Sequence, residues 1–125
     1  MANLNDLATF PQLEVWGDTV KARRVQGEHI TFAVVELAPN AVVPEHRHVA
    51  EQLGMVITGE MHFTLDGEQR TLGPGGTWRI LSNRPHDVQA GPEGAVVIDV
   101  FSPVRSDWDA LKVAPTAAPR WPGAG

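Results

Sequence analysis

Cysteine is absent from these 125 residues, and only 10 Lys and Arg stand against 15 Asp and Glu. Without cysteine there is no disulfide staple, no thiolate zinc site and no thiol nucleophile, and nothing ties the chain to an oxidising or a reducing compartment. A formal charge of -5 leaves no basic footprint for nucleic acid and no polybasic strip for an anionic membrane. A small neutral or acidic ligand then needs positive charge gathered locally. No apolar run reaches the roughly 18–20 residues that span a bilayer. The opening Met1-Ala2-Asn3-Leu4-Asn5-Asp6 lacks the cationic-then-apolar pattern of a signal peptide. These absences predict a soluble, cytoplasmic, one-domain protein with neither nucleic acid nor membrane as partner.

Turn formers are plentiful, with 12 Gly and 10 Pro. They punctuate the chain about every ten residues, the spacing of an all-β sandwich or barrel. Breaks are expected at Gly17-Asp18, Gly27-Glu28, Pro39-Asn40, Gly59-Glu60, Asp66-Gly67, Gly73-Pro74-Gly75-Gly76, Ser82-Asn83-Arg84-Pro85 and Gly91-Pro92-Glu93-Gly94, where φ is positive or fixed. Asp66-Gly67 lies between Met61–Leu65 and Glu68–Leu72 and reads as a type I′ hairpin. The segments Ile30–Leu37, Leu53–Thr58, Met61–Leu65, Thr77–Leu81 and Ala95–Phe101 are rich in β-branched and aromatic residues. In one of them Met61, Phe63 and Leu65 alternate with polar neighbours, the period of a strand buried on one side. Residues 1–27 form an N-terminal arm with strands, 28–111 the barrel domain, and 112–125 an Ala/Pro/Gly-rich tail expected to be extended or flexible. Ser106 is placed to cap a short helical turn containing Trp108.

The chemistry concentrates in Pro44-Glu45-His46-Arg47-His48-Val49-Ala50-Glu51-Gln52. Side chains two apart on a strand share a face, so His46, His48 and Gln52 are expected together, with Arg47 and Glu51 opposite. His86 follows a turn and opens a further strand, and antiparallel neighbours bring such residues within about 5 Å. Three imidazoles and one oxygen donor suit a divalent first-row metal with open coordination positions, Ni, Zn, Fe, Mn or Co. An amide in place of a carboxylate leaves more of the ion's charge for polarising a substrate oxygen. Further on, Ala95, Val97, Asp99 and Phe101 share a strand face, which sets an acid among apolar neighbours where ionisation is expensive.

The run from Asn40 through His46-Arg47-His48 and Gln52 to Gly59 resembles the first motif of the cupin superfamily, with Asn40 where that motif opens on Gly and Gln52 where it has Glu. Asn tolerates the left-handed backbone that the Gly would supply. Gly67-Glu68-Gln69-Arg70-Thr71-Leu72-Gly73-Pro74-Gly75-Gly76, one residue longer before its Pro, with His86 downstream, resembles the second motif. The resemblance implies a double-stranded β-helix, or jelly-roll barrel. The late Asp99-Val100-Phe101-Ser102-Pro103-Val104-Arg105 narrows it to the small pectin-degradation cupins, which linearise 4,5-unsaturated uronate monosaccharides. On that likeness His46, His48, Gln52 and His86 would hold the metal, while Asp99, Phe101 and Arg105 would line the substrate pocket as the catalytic set. The implied partner is a sugar acid, and superfamily analogy adds a homodimer packed through residues 1–25. A metal-dependent dioxygenase or lyase acting on another small carboxylate, and a non-catalytic binding module, are the competing readings, since fold and ligands do not choose the reaction.

His29 and His62 are expected at the surface, Arg23 and Arg24 in surface salt bridges, and Trp16 in the core or between the sheets. Trp108 should pack the C-terminal turn onto the barrel. One of Trp78 and Arg79 faces the pocket, and parity alone does not say which.

Overall fold

The Asp66-Gly67 turn has φ of 51° and 81°, both positive as type I′ requires. It joins β5 (Glu51–Leu65) to β6 (Glu68–Leu72) with Leu65 opposite Glu68. The computed structural model describes residues 2–123 and contains six further strands: β1 (Leu13–Trp16), β2 (Val20–Gln26), β3 (Thr31–Leu37), β4 (Val42–His46), β7 (Thr77–Ile80) and β8 (His86–Ser102). All pairings between these strands are antiparallel. Asn40 has φ 60°, in the left-handed region expected of it.

Two strands are far longer than the expected segments, because the breaks foreseen at Gly59-Glu60 and Gly91–Gly94 are not turns. β5 and β8 run straight through them, and Glu60 alone stands opposite residues 91–94, since Gly59 pairs with Ala95 and Met61 with Ala90. A glycine with positive φ serves a bulge as well as a turn, and Gly59 has φ 79° with its missing Cβ directed at the Gly94 carbonyl. The bulge lets both long strands serve two layers. One layer runs β1-β2-β3-β8-β5-β7, using the second half of β8 and the first half of β5. The other runs β4-β8-β5-β6, using the remaining halves. The fold is the expected double-sheet β-barrel.

Inward residues follow the period of two. Ala33, Val35 and Leu37 of β3, Met61 and Phe63 of β5, and Ala95, Val97 and Phe101 of β8 are buried in one core, and each large side chain removed from water contributes about 1.5–3 kcal/mol. Arg23 departs from the surface position expected of it. Its side chain is 3% exposed, pairs with Glu36 at 3.1 Å, and also donates to the Ala117 carbonyl. Arg24 bridges Asp109 at 2.6 Å. His29 and His62 are exposed.

Ser106 does not cap the turn that follows it. Residues Ser106–Ala110 form a short 3₁₀ helix whose N-cap position is Arg105, with no side-chain cap. The tail is extended and tied down. Glu14 N–H donates to the Lys112 carbonyl at 2.9 Å, Ala114 N–H to the Gln12 carbonyl at 2.8 Å, and Arg120 Nη1 to the Leu37 carbonyl at 2.9 Å. Its composition offers little side-chain area to bury, so main-chain bonds and Arg120 hold it. Met1, Ala124 and Gly125 lie outside the described residues. No helix among the described residues is long and apolar enough to cross a membrane.

Candidate metal centre

His46 ends β4 and pairs in register with His86, the first residue of β8. The chain then leaves the strand, carries His48 in an irregular segment, and enters β5 at Glu51, one residue before Gln52. The three side chains therefore do not share one face of one strand. They converge because residues 47–50 cross from one layer of the barrel to the other at its mouth, and the Asn83 N–H fixes that crossing by donating to the His48 carbonyl at 2.8 Å. Gln52 is buried and Glu51 exposed, so the inward choice between these neighbours is the amide.

Ligand atoms of His46, His48 and His86 lie within 4.8 Å of one another. Each imidazole hydrogen-bonds a main-chain carbonyl through Nδ1: His46 to Pro44 at 2.9 Å, His48 to Ala50 at 2.8 Å, His86 to Arg84 at 2.8 Å. A carbonyl only accepts, so Nδ1 carries the proton and each Nε2 presents a lone pair, the tautomer in which histidine ligates a metal while its other nitrogen is held by the main chain. His86 Nε2 is buried with no hydrogen-bond partner. Burial lowers the His86 pKa to about 4 and lowers that of His48 as well, which keeps both rings neutral and competent as ligands near pH 7. Gln52 Oε1 stands 3.1 Å from His48 Nε2. Two lone pairs facing one another at that distance call for a cation between them. The donor set fits a divalent transition metal.

Behind the amide, Gln52 Nε2 donates to Asp99 Oδ1 at 2.8 Å, and Trp78 Nε1 donates to the same oxygen at 2.7 Å. Trp78 is the inward residue of its pair and Arg79 is exposed. Burial raises the Asp99 pKa to about 6, against the opposing pull of the two hydrogen bonds and the Arg105 charge. Arg105 lies at the rim. Its guanidinium packs over the Phe101 ring at 4.7 Å and the Trp108 ring at 4.9 Å, and its Nε and Nη2 each donate to Asp107 at 3.0 Å. Nη1 has no partner among the described residues.

These groups line one cavity of about 230 Å³. Its polar lining is the three histidines, Gln52, Asp99, Arg105 and Asp107, and its apolar lining includes Val35, Leu37, Met61, Phe63, Val88 and Val97. Trp16, expected in the core or between the sheets, is half-buried and packs on His46 with ring centroids 5.1 Å apart. Sequence reasoning passed over Asp107 and the contact of Trp108 with Arg105. Asp107 stands two residues after that arginine, a spacing that could have drawn attention to it. Trp108 reaches the site through a 3₁₀ helix whose geometry the sequence does not specify.

Residues 33–101 match the cupin domain family. The chain is 31% identical over 97 residues to the pectin degradation protein KdgF of Dickeya dadantii strain 3937, over 76% of this chain and 88% of that one. Among solved structures, KdgF from Halomonas sp. matches with a TM-score of 0.77 and 26% identity, over 86% of this chain and 98% of that one. An RmlC-like cupin from Shewanella frigidimarina NCIMB 400 matches with a TM-score of 0.78 and 22% identity, over 86% and 96%, which is a likeness of fold.

Proposed function

The chain belongs to the cupin domain family, and we propose that it is a metal-dependent enzyme that opens the ring of 4,5-unsaturated uronate monosaccharides in pectin or alginate breakdown. The observation that supports this most is the juxtaposition, in one cavity, of three outward-tied imidazoles and an amide oxygen with a buried carboxyl and an arginine at the rim. The likeness to the Dickeya dadantii protein named for pectin degradation supports the substrate class. The cavity lies below the ~300 Å³ at which pockets for drug-sized ligands begin, a size suited to a single sugar.

The substrate is a cyclic enol ether with a carboxylate on C5 and a hemiacetal at C1. Its linearisation moves one proton and breaks one ring bond. The anomeric hydroxyl loses its proton as C1=O forms, the C1–O5 bond breaks, and the resulting C5 enolate takes a proton at C4 to give a ketone, with the formula unchanged. His46, His48, His86 and Gln52 would hold the metal, which when bound supplies Lewis-acid stabilisation of developing negative oxygen. Asp99 takes the hydroxyl proton and returns one to C4, a task suited to a carboxyl whose pKa burial has raised toward neutrality. Arg105 offers the free Nη1 edge of its fork to the substrate carboxylate and so orients the ring. Phe101, buried beside His48 with ring centroids 6.0 Å apart, is an apolar wall that limits water.

The test is loss of the enol-ether ultraviolet absorbance of unsaturated galacturonate with metal-loaded protein, with His48→Ala as control. Acceleration over the spontaneous reaction that disappears in the control is expected. No acceleration, or oxygen uptake with another small carboxylate, would transfer the site to the dioxygenase reading. A second copy of the chain as partner is part of the same proposal, and light scattering reads it directly.

A further inference from the structure

Trp78, Gly54 and Asp99 stand in one row across three adjacent strands, for Gly54 of β5 pairs with Trp78 of β7 on one side and with Asp99 of β8 on the other. Residues in the outer positions of such a row are two strand spacings apart, roughly 10 Å, and their side chains do not ordinarily meet. Here they do, because the residue between them has no side chain. A Cβ on Gly54 would lie far inside contact distance of both Trp78 Nε1 and Asp99 Oδ1. The indole lies across the backbone of β5, and on its other side it packs on Phe63 with ring centroids 4.9 Å apart. Trp78 is 6% exposed, so the indole is largely removed from competing water.

Both donors that reach Asp99, the indole N–H and the Gln52 amide, end on Oδ1. Oδ2 receives none among the described residues, and Asp99 lines the cavity. We propose that Trp78 is a positioning residue for Asp99: its indole N–H fixes Oδ1 across Gly54, so that Oδ2 is the atom that carries the proton and meets the substrate. Oδ1 already accepts two hydrogen bonds and has no lone pair left in a favourable direction. The inference rests on the reading that Asp99 carries the proton of the reaction.

Two measurements test it in zinc-loaded protein, which is diamagnetic. Trp78→Phe keeps an aromatic ring and deletes the donor. Its kcat is expected to fall roughly ten- to a hundredfold with KM within about threefold of wild type and metal content unchanged. Gly54→Ala should do the same by pushing the indole off Oδ1. In proton–nitrogen correlation spectra the four Trp side chains are expected to give one indole signal each. The Trp78 signal, identified by its loss in Trp78→Phe, is expected downfield and slow to exchange, and it should move upfield in Asp99→Ala. Turnover of Trp78→Phe within twofold of wild type, or an indole signal that Asp99→Ala does not move, overturns the positioning role. Wild-type protein that leaves unsaturated uronates untouched overturns the proposed reaction instead, and the indole shift then still decides whether Trp78 holds Asp99.

Discussion

Two buried side-chain polar atoms among the described residues have no hydrogen-bond partner, Arg23 Nε and His86 Nε2, and the regions around them differ in an instructive way. Arg23 lies under the tail, and its other groups reach Glu36 and the Ala117 carbonyl. Its orphan is a donor facing packed protein, a local cost of about 1–3 kcal/mol that the ion pair and the tail contact offset. The His86 orphan is an acceptor that faces other acceptors, His46, His48 and Gln52, in a cavity open to solvent. An unsatisfied atom marks a site when its neighbours share its deficiency. Otherwise it marks a structural compromise.

The largest effect expected from this contrast is at His86. His86→Ala should lose stoichiometric metal in elemental analysis, and turnover should fall by at least about a hundredfold. Arg23→Met should leave metal content and KM as they are. It should instead leave Glu36, whose side chain is 12% exposed, with the Arg120 N–H at 3.0 Å but no cation beside it, and lower stability by about 3 kcal/mol, or about 10 °C in Tm. Proteolysis of residues 112–123 should quicken, because one of their anchors is gone. If Arg23→Met also lost metal, the two orphans would belong to one coupled region and the distinction would fail.

The pH dependence of the metal-free protein sharpens the same contrast. The His86 pKa is lowered to about 4 from 6.5 in the unfolded chain, so the folded state binds fewer protons than the unfolded one between those values, and stability is lost as pH falls from about 6.5 to about 4. His48 acts in the same direction. Asp99, raised from 3.8 to about 6, acts in the opposite sense. Its contribution is fully present below about 4 and is lost as pH rises through about 6. Asp99→Asn removes only that second term, so its stability relative to wild type should grow by up to about 3 kcal/mol from pH 4 to pH 7, at 1.36 kcal/mol for each pKa unit. Urea titrations with a chelator present would show it. A difference that does not vary with pH would mean that burial does not burden the Asp99 charge.

Much of this arrangement was legible before any coordinates. The alternation in Met61–Leu65 and Ala95–Phe101, and the Asp66-Gly67 turn, specify strands and a hairpin through local chemistry, and the all-β class followed from them, while the barrel followed from the resemblance to the cupin motifs. The spacing from His46 to Gly59 singled out the ligand candidates, although strand parity was the wrong reason for their convergence. What escaped depends on register between strands distant in sequence. Gly54 looks like an ordinary weak point in a strand until Trp78 and Asp99 are known to flank it. Gly59 and Gly91 look like turns until β5 and β8 are seen to bend together. Arg23 looked like surface because no local pattern announces that a tail from 94 residues away will cover it.

The smallest effect expected is at Arg105, the counterpart of Arg23 on the cavity side. Both arginines are tied to a carboxylate, but the Arg105 partner, Asp107, is 65% exposed, so the pair is worth at most about 1 kcal/mol. Phe101 and Trp108 already fix the plane of the guanidinium, and the Asp107 fork fixes its rotation within that plane. If the fork serves to aim Nη1 at the substrate carboxylate, Asp107→Asn should raise KM about three- to fivefold and leave kcat nearly unchanged, within that same ceiling. If Asp107 instead competes with the substrate for the guanidinium, KM should fall by a similar factor. Steady-state kinetics on unsaturated galacturonate separates the two by sign alone, and a fall in KM would mean that the Arg105 pair holds the site closed against anions when no substrate is bound.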